Sequence, residues 1–455
     1  MAMIDELAGF VVAADYSQLS IEGRVQAKIR VLDALGCAIG ALDAPVIQAI
    51  AAQTEDFGGN RKCTLIGGGR TAPDRAAFYN SALVRYLDFN DSYLAKGETC
   101  HPSDNLGSIL AACEYAKGHG ETLLTALAVA YQVQCRLSDL APVRAKGFDH
   151  TTQGAYAVAA GVAKALRLDK AKTANAIAIA GTSYNALRVT RTGALSNWKG
   201  LAYPNMAMGA THAAFLAMRG ITGPHEVFEG NKGFMDAISG QFAIDWSREN
   251  LERITQTIVK RYNAEIHSQA TVEGVLELQH EQHISVSEIQ AIDIETFDVA
   301  YSIIGGGEEG EKFTVRTKEE ADHSLPYIVA VALLDGQVLP PQYSPQRIQR
   351  SDVQDLLRKV NIRPLPEFSQ RFPAEMPCRI TITQADGQVL TKDKRDYEGF
   401  RTRPMQWETA VKKFEQLSKT HLSSLHQKEI EQAVMNLEDI SVSDFIKLLE
   451  AVDKK

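Results

Sequence analysis

Apolar residues at Val25, Ile29, Leu32, Leu35 and Ile39 recur three and four apart, with Gly36 on the same face and Ser20 placed ahead as a cap. That spacing predicts an amphipathic helix. Three later stretches, Thr151–Ala163, Thr173–Leu187 and Gly200–Met218, hold no Asp, Glu, Lys or Arg and are rich in alanine and glycine all round. A helix without a polar face must be buried on every side, so these three are expected at the centre of a large helical bundle. The pattern changes after about Lys260. Ile289–Phe297 alternates apolar and polar positions, as a half-buried strand does. Cys378–Thr383 alternates again, and Asp386-Gly387 then supplies the turn into Gln388–Lys392, which predicts a β-hairpin. Between them Glu319–Leu334 reads as a helix and Pro364–Pro377 as a connector. Helical spacing returns from Trp407 through Val411, Phe414, Leu417, Ile430 and Leu448. The fold class is therefore mainly α. A large all-helical domain (1–260 and 401–455) carries a smaller inserted α+β domain (261–400).

Length agrees with that division, since 455 residues at roughly 150 per domain imply two or three. The 48 basic and 56 acidic residues give a net charge of −8, and no dense Lys/Arg run exists, so a nucleic-acid partner is not expected. No membrane association is expected either. The longest uncharged stretch contains Pro204, Asn205 and His212, whereas a span needs about 20 predominantly apolar residues. The start, through Asp5 and Glu6, is acidic and lacks the basic-then-apolar order of a signal or transit peptide. Six cysteines without CxxC spacing argue against a zinc ribbon, an iron–sulfur cluster or a disulfide framework. A cytoplasmic location follows as an expectation.

Four polar constellations interrupt the helical pattern. Tyr86–Asn105 holds Asp88 and Asp91, three apart and so expected on one helical face, then Ser92 and a loop presenting His101 before Pro102. Loops dense in Asp, Asn, Ser and His behind a helix are common in active sites, although a capped helix end reads the same way. Asp88, Asp91 and His101 also have the residue types of a metal site, but carboxylate pairs on helices mostly cap or face solvent, so no metal is expected. Lys146–Thr152 sets Asp149 and His150 at the mouth of an uncharged helix. Asn197-Trp198-Lys199 places a lone cation beside another uncharged stretch, Gly200–Met218. Lys260–Gln269 gathers Lys260, Arg261, Glu265 and His267 where the two domains are expected to meet. Two glycine runs carry less. Gly67–Gly69 lacks the spacing and context of a dinucleotide loop, and Gly305–Gly307 is flanked by glutamates that oppose phosphate.

Six runs carry a resemblance. LDFNDSYLAKGETCHPSDNLG (87–107), KGFDHTT (146–152), NWKGLAYPNMAMGATHAAF (197–215), YNAEIHSQATVE (262–273), EEADHSLPY (319–327) and DYEGFRTRPMQWE (396–408) resemble the MmgE/PrpD family, and most its 2-methylcitrate dehydratase branch. The resemblance implies a homodimer, a helical domain with a smaller α+β lid domain, a cleft for small polycarboxylates between them, and no cofactor. It places Asp88, Ser92, His101, His150 and Lys199 at positions lining the family's active site. Asp91, Lys260, Arg261 and His267 join them as substrate-binding candidates. His267 fits the dehydratase-like AExHSQ pattern, whereas decarboxylase-like relatives have a histidine where Glu265 stands, and which of the two faces the site stays open. GETCHP departs from the bulkier sequence of the dehydratases, which leaves the substrate open.

The implied activity is a hydro-lyase acting on 2-methylcitrate or citrate. His101 and His150 would divide the acid and base roles, since imidazoles titrate near neutrality. A carboxylate exposed at Asp88 would titrate near 4, which suits orienting an imidazole better than acting as the base. No Asp or Glu lies between Lys170 and Glu226, so the Lys199 ammonium is expected to meet a substrate carboxylate. The alternatives are decarboxylation of cis-aconitate, epimerisation of an amino-dicarboxylate, and a helical binding protein without catalysis.

Overall fold

The computed structural model describes residues 2–193, 195–282 and 284–452, so residues 1, 194 and 453–455 of the expected helical domain and residue 283 of the expected α+β domain lie outside it. The chain divides into two compact units. One runs through Thr190 and adds Gly200–Ile258 and the segment from Gln406; the other comprises Arg191–Lys199 and Val259–Met405.

The first unit is helical. Ser20 caps the Ile21–Gly40 helix, its hydroxyl accepting the Gly23 amide at 2.9 Å, as the spacing predicts. The centre is the pair Gly120–Leu140 and Thr151–Ala165, the second buried along its whole length except at Lys164. Of the three uncharged stretches, only this one is enclosed all round. Lys170–Ser183 leaves Thr182 and Ser183 exposed, Leu187 lies beyond its end in the open, and Trp198–Met218 exposes His212. The physical reason is side-chain size. Alanine and glycine expose little apolar surface, so a run of them tolerates water on one side as readily as packing. Close packing occurs where a large ring needs room. At Gly154 a Cβ would stand 2.5 Å from the Tyr203 ring and 2.7 Å from the Met206 methyl. No single helix among the described residues is long and apolar enough to cross a membrane.

The second unit is built on a four-stranded sheet in the order Val360–Pro364, Ile289–Thr296, Cys378–Gln384, Val389–Lys394. The first pair is parallel and the others antiparallel. Ile292 pairs with Ile382 and Ile294 with Ile380, and all four are buried. The Gln269–Glu281 helix lies so close to the sheet that a Cβ on Gly274 would meet Ile380 at 2.5 Å. Two readings change here. Glu319–Leu334 is not one helix but two, Lys318–Ala321 and Leu325–Asp335, because Ser324 caps a new start (Tyr327 amide to Oγ, 3.1 Å) with Pro326 in its first turn. The expected connector Pro364–Pro377 ends one strand and contains the helix Pro366–Arg371. All six cysteines are buried and none is in a disulfide.

Candidate active site

In the first unit the Pro73–Tyr86 helix stops before the acidic pair, so Asp88 and Asp91 do not share a helical face. Asp88 adopts a left-handed backbone, φ 52°, which Asp tolerates better than most residues. It is buried, not exposed, and Arg85 Nη1 donates to its carboxylate at 2.6 Å. The chain then forms a short hairpin, Tyr93–Ala95 with Glu98–Cys100, whose end delivers His101 to the turn Pro102–Asn105. Polar bonds hold this segment residue by residue. Asn90 Nδ2 donates to Ser103 Oγ and to Asp104 Oδ1, both at 2.8 Å. The Ser103 amide and the Tyr131 hydroxyl donate to Asp91 at 3.0 and 2.7 Å. Burial pushes the Asp91 carboxyl above its ordinary value, against the pull of those donors and of Arg30. Asp91 is thus a clamp on the His101 turn: one oxygen accepts from Ser103 within the loop and the other from Tyr131 on the Gly120–Leu140 helix.

His101 Nδ1 lies 2.8 Å from the Asp91 carbonyl and 3.0 Å from Ser92 Oγ. A carbonyl oxygen only accepts, so Nδ1 carries the proton and the lone pair of the neutral ring is on Nε2. The His150 ring meets the His101 ring edge-on with centroids 5.5 Å apart, and stacks on Tyr203 at 5.7 Å. His150 Nε2 is 3.8 Å from Asp149 Oδ1, and Arg188 stands at 3.8 Å from the other oxygen of that carboxylate. Asp88, Asp91, Ser92, His101 and His150, separated along the chain, therefore belong to one polar constellation. Glu98 joins the two histidine loops. It precedes His101 in the hairpin, and its carboxylate accepts the Val143 and Arg144 amides at 3.1 Å, where the His150 loop begins. Glu98, Tyr131 and Tyr203 carry no local sign of this role, since each acts across a long sequence separation.

In the second unit Lys199 Nζ lies 2.8 Å from Asp322 Oδ1 and 2.9 Å from His323 Nδ1. The expectation that no protein acid neutralises this lysine is therefore corrected; the acid arrives from more than a hundred residues away. Asp322 also accepts from Lys318 at 3.0 Å and lies 2.6 Å from His323 Nδ1. Burial raises its carboxyl, but Lys199, Lys318 and His323 outweigh that and hold it well below the usual carboxylate range. Glu265 and His267 form a pair, not alternatives: Nδ1 lies 2.8 Å from Oε1 and the His267 amide donates to Oε2 at 2.7 Å. Burial again acts upward on Glu265, and His267, His323 and Lys260 bring it down to about 2. His267 Nε2 is buried without a hydrogen-bond partner among the described residues, its ring packed against Phe297 and Phe372. Lys260 is buried, whereas Arg261 is half-exposed and paired with Glu398.

Comparison with known proteins gives this arrangement a context. Residues 5–247 match the MmgE/PrpD N-terminal domain and residues 262–439 the MmgE/PrpD C-terminal domain. A 2-methylcitrate dehydratase of Cupriavidus necator is 28% identical over 399 residues, covering 80% of this chain and 79% of its own length. That of Escherichia coli K12 is 27% identical, with 75% and 73% covered. A human cis-aconitate decarboxylase is 26% identical over 442 residues, covering 91% of this chain and 87% of its own. With both domains matched over most of its length, the chain belongs to the MmgE/PrpD family.

Proposed function

We propose that the protein is a hydro-lyase that removes water from 2-methylcitrate, or from a near relative such as citrate, by acid–base catalysis at His101 and His150. The observation that carries this reading is the edge-on approach of the two imidazoles, with Nδ1 of His101 committed to a carbonyl and Nε2 left as its basic atom. One imidazole takes the proton from the carbon next to a carboxylate. The C–O bond breaks, and the departing hydroxyl takes a proton from the other imidazole and leaves as water. The product is an alkene that keeps all three carboxylates. Imidazole can act both as acceptor and as donor of a proton, which suits this residue type to both transfers. Asp88, neutralised by Arg85, serves as a positioning acid. In the second unit we propose Lys260 and His267 as contacts for substrate carboxylates, ahead of Arg261, which Glu398 already occupies.

A second reading, decarboxylation of cis-aconitate, is supported by the human decarboxylase, which aligns over more of the chain than the dehydratases do. Proton NMR of the products from a tricarboxylate panel separates the two. An alkene with every carboxylate retained is the expected result, and release of carbon dioxide from cis-aconitate would transfer the assignment to the decarboxylase.

A further inference from the structure

The turn carrying Asp88 and Ser92 is also held by a residue from the far end of the chain. Lys413, on the Trp407–Ser418 helix, is buried, and its Nζ donates to the Phe89 carbonyl at 2.7 Å while lying 3.7 Å from the centroid of the Phe89 ring. Its counter-charge is Asp33, 2.6 Å away and only 1% exposed, midway along the Ile21–Gly40 helix. These two helices pack so tightly that a Cβ on Gly36 would reach the Phe414 backbone at 3.2 Å and the Leu417 side chain at 3.6 Å, and one on Gly40 the Leu417 carbonyl at 3.1 Å. Apolar side chains would therefore fill the space. A buried ion pair is commonly no better for stability than an apolar pair of similar volume. Burial pushes the Asp33 carboxyl above its ordinary value even with Lys413 opposing it. Packing does not account for the pair, but the Phe89 carbonyl does. It follows the left-handed Asp88 directly and precedes Asn90, Asp91 and Ser92, whose contacts fix the His101 turn. In its preferred right-handed conformation Asp88 would continue the preceding helix and carry those three residues away from Ser103, Tyr131 and His101.

We infer that Lys413 is a positioning residue whose ammonium, neutralised by Asp33, clamps the Phe89 carbonyl and thereby sets the geometry of the Asp88–His101 segment. The effect on turnover rests on the function proposed above; the clamp itself does not. The test compares two double variants with the wild type, by steady-state kinetics on 2-methylcitrate and by hydrogen exchange across 86–104. Asp33→Asn with Lys413→Met removes both charges and the carbonyl bond. It should lower kcat at least tenfold with KM within about threefold, and should raise exchange at residues 88–92 while the two helices stay protected. Asp33→Asn with Lys413→Gln removes the charges but leaves an amide able to donate to Phe89, and should recover a large part of both losses. Equal behaviour of the methionine and glutamine variants, or wild-type exchange and turnover in the methionine variant, overturns the inference. Should the methionine variant fail to fold, the glutamine variant decides: exchange at 88–92 at or moderately above the wild-type rate with both helices protected supports the clamp, and full loss of protection at 88–92 or exchange raised along both helices overturns it. If the wild type turns over no polycarboxylate, the proposed function falls while the exchange comparison still decides the clamp.

Discussion

Because the Asp91 carbonyl holds the proton of His101 on Nδ1, the proton exchange proposed for that ring falls to Nε2. His101→Ala and His150→Ala should each lower turnover by roughly 10²–10⁴, the range of general acid–base catalysis. Circular dichroism should show the fold retained, and full activity in either variant would remove that residue from the mechanism. Lys199 leads to a different expectation once Asp322 is seen beside it. Replacing the lysine by methionine leaves a buried carboxylate short of one of its cations, and breaking such pairs costs on the order of 3 kcal/mol. Urea denaturation should therefore find Lys199→Met destabilised and Lys199→Met with Asp322→Asn largely restored. A single variant as stable as the wild type would show that Asp322 does not depend on the lysine. Glu265 contributes to behaviour in acid. Its folded value of about 2 lies below the ordinary 4.5, so the folded state binds fewer protons and the stabilisation is complete above 4.5. It is lost as the pH falls from there through 2. Stability measured between pH 5 and 3 should drop less steeply in Glu265→Gln than in the wild type, and an unchanged slope would mean that other carboxylates set it.

At the scale of elements, the sequence announces what local spacing controls and hides what distant contacts control. The Ser20 cap, the strand at 289 and the hairpin turn at Asp386-Gly387 are all local, and each appears where the pattern puts it. The helix break at Asp322–Ser324 was also legible, in Ser324 followed by Pro326, but apolar periodicity on both sides masks it; Asp322 and His323 stand at that break. Tyr131 and Glu98 had no such signal, because their partners lie across the fold. His101 in its Asp- and Ser-rich loop and His150 at the mouth of an uncharged helix each stand out in the sequence, but the 5.5 Å approach of their rings does not, because they lie 49 residues apart along the chain. Gly154 shows how an element without chemistry of its own governs the site. Gly154→Ala places a Cβ against the Tyr203 ring, which stacks on His150. Overpacking of this kind costs about 1–3 kcal/mol, so a lower melting temperature is expected together with reduced turnover. A variant with wild-type kcat would mean that Tyr203 does not set the His150 ring.

Across the whole molecule, the six thiols divide unequally between the two units: Cys37, Cys63, Cys100, Cys113 and Cys135 in one, Cys378 in the other. Burial pushes Cys63, Cys113 and Cys378 up to about 12, so at neutral pH their thiolates are scarce as well as enclosed. In the native protein, labelling by a disulfide reagent should wait for the chain to open. The order in which the sites are modified then records which part opens first, resolved by peptide mass. If the units melt as one cooperative body, Cys378 acquires label at the same denaturant concentration as the other five. If they melt separately, it keeps its own schedule, and a single thiol becomes the timepiece for 147 residues of chain between Val259 and Met405.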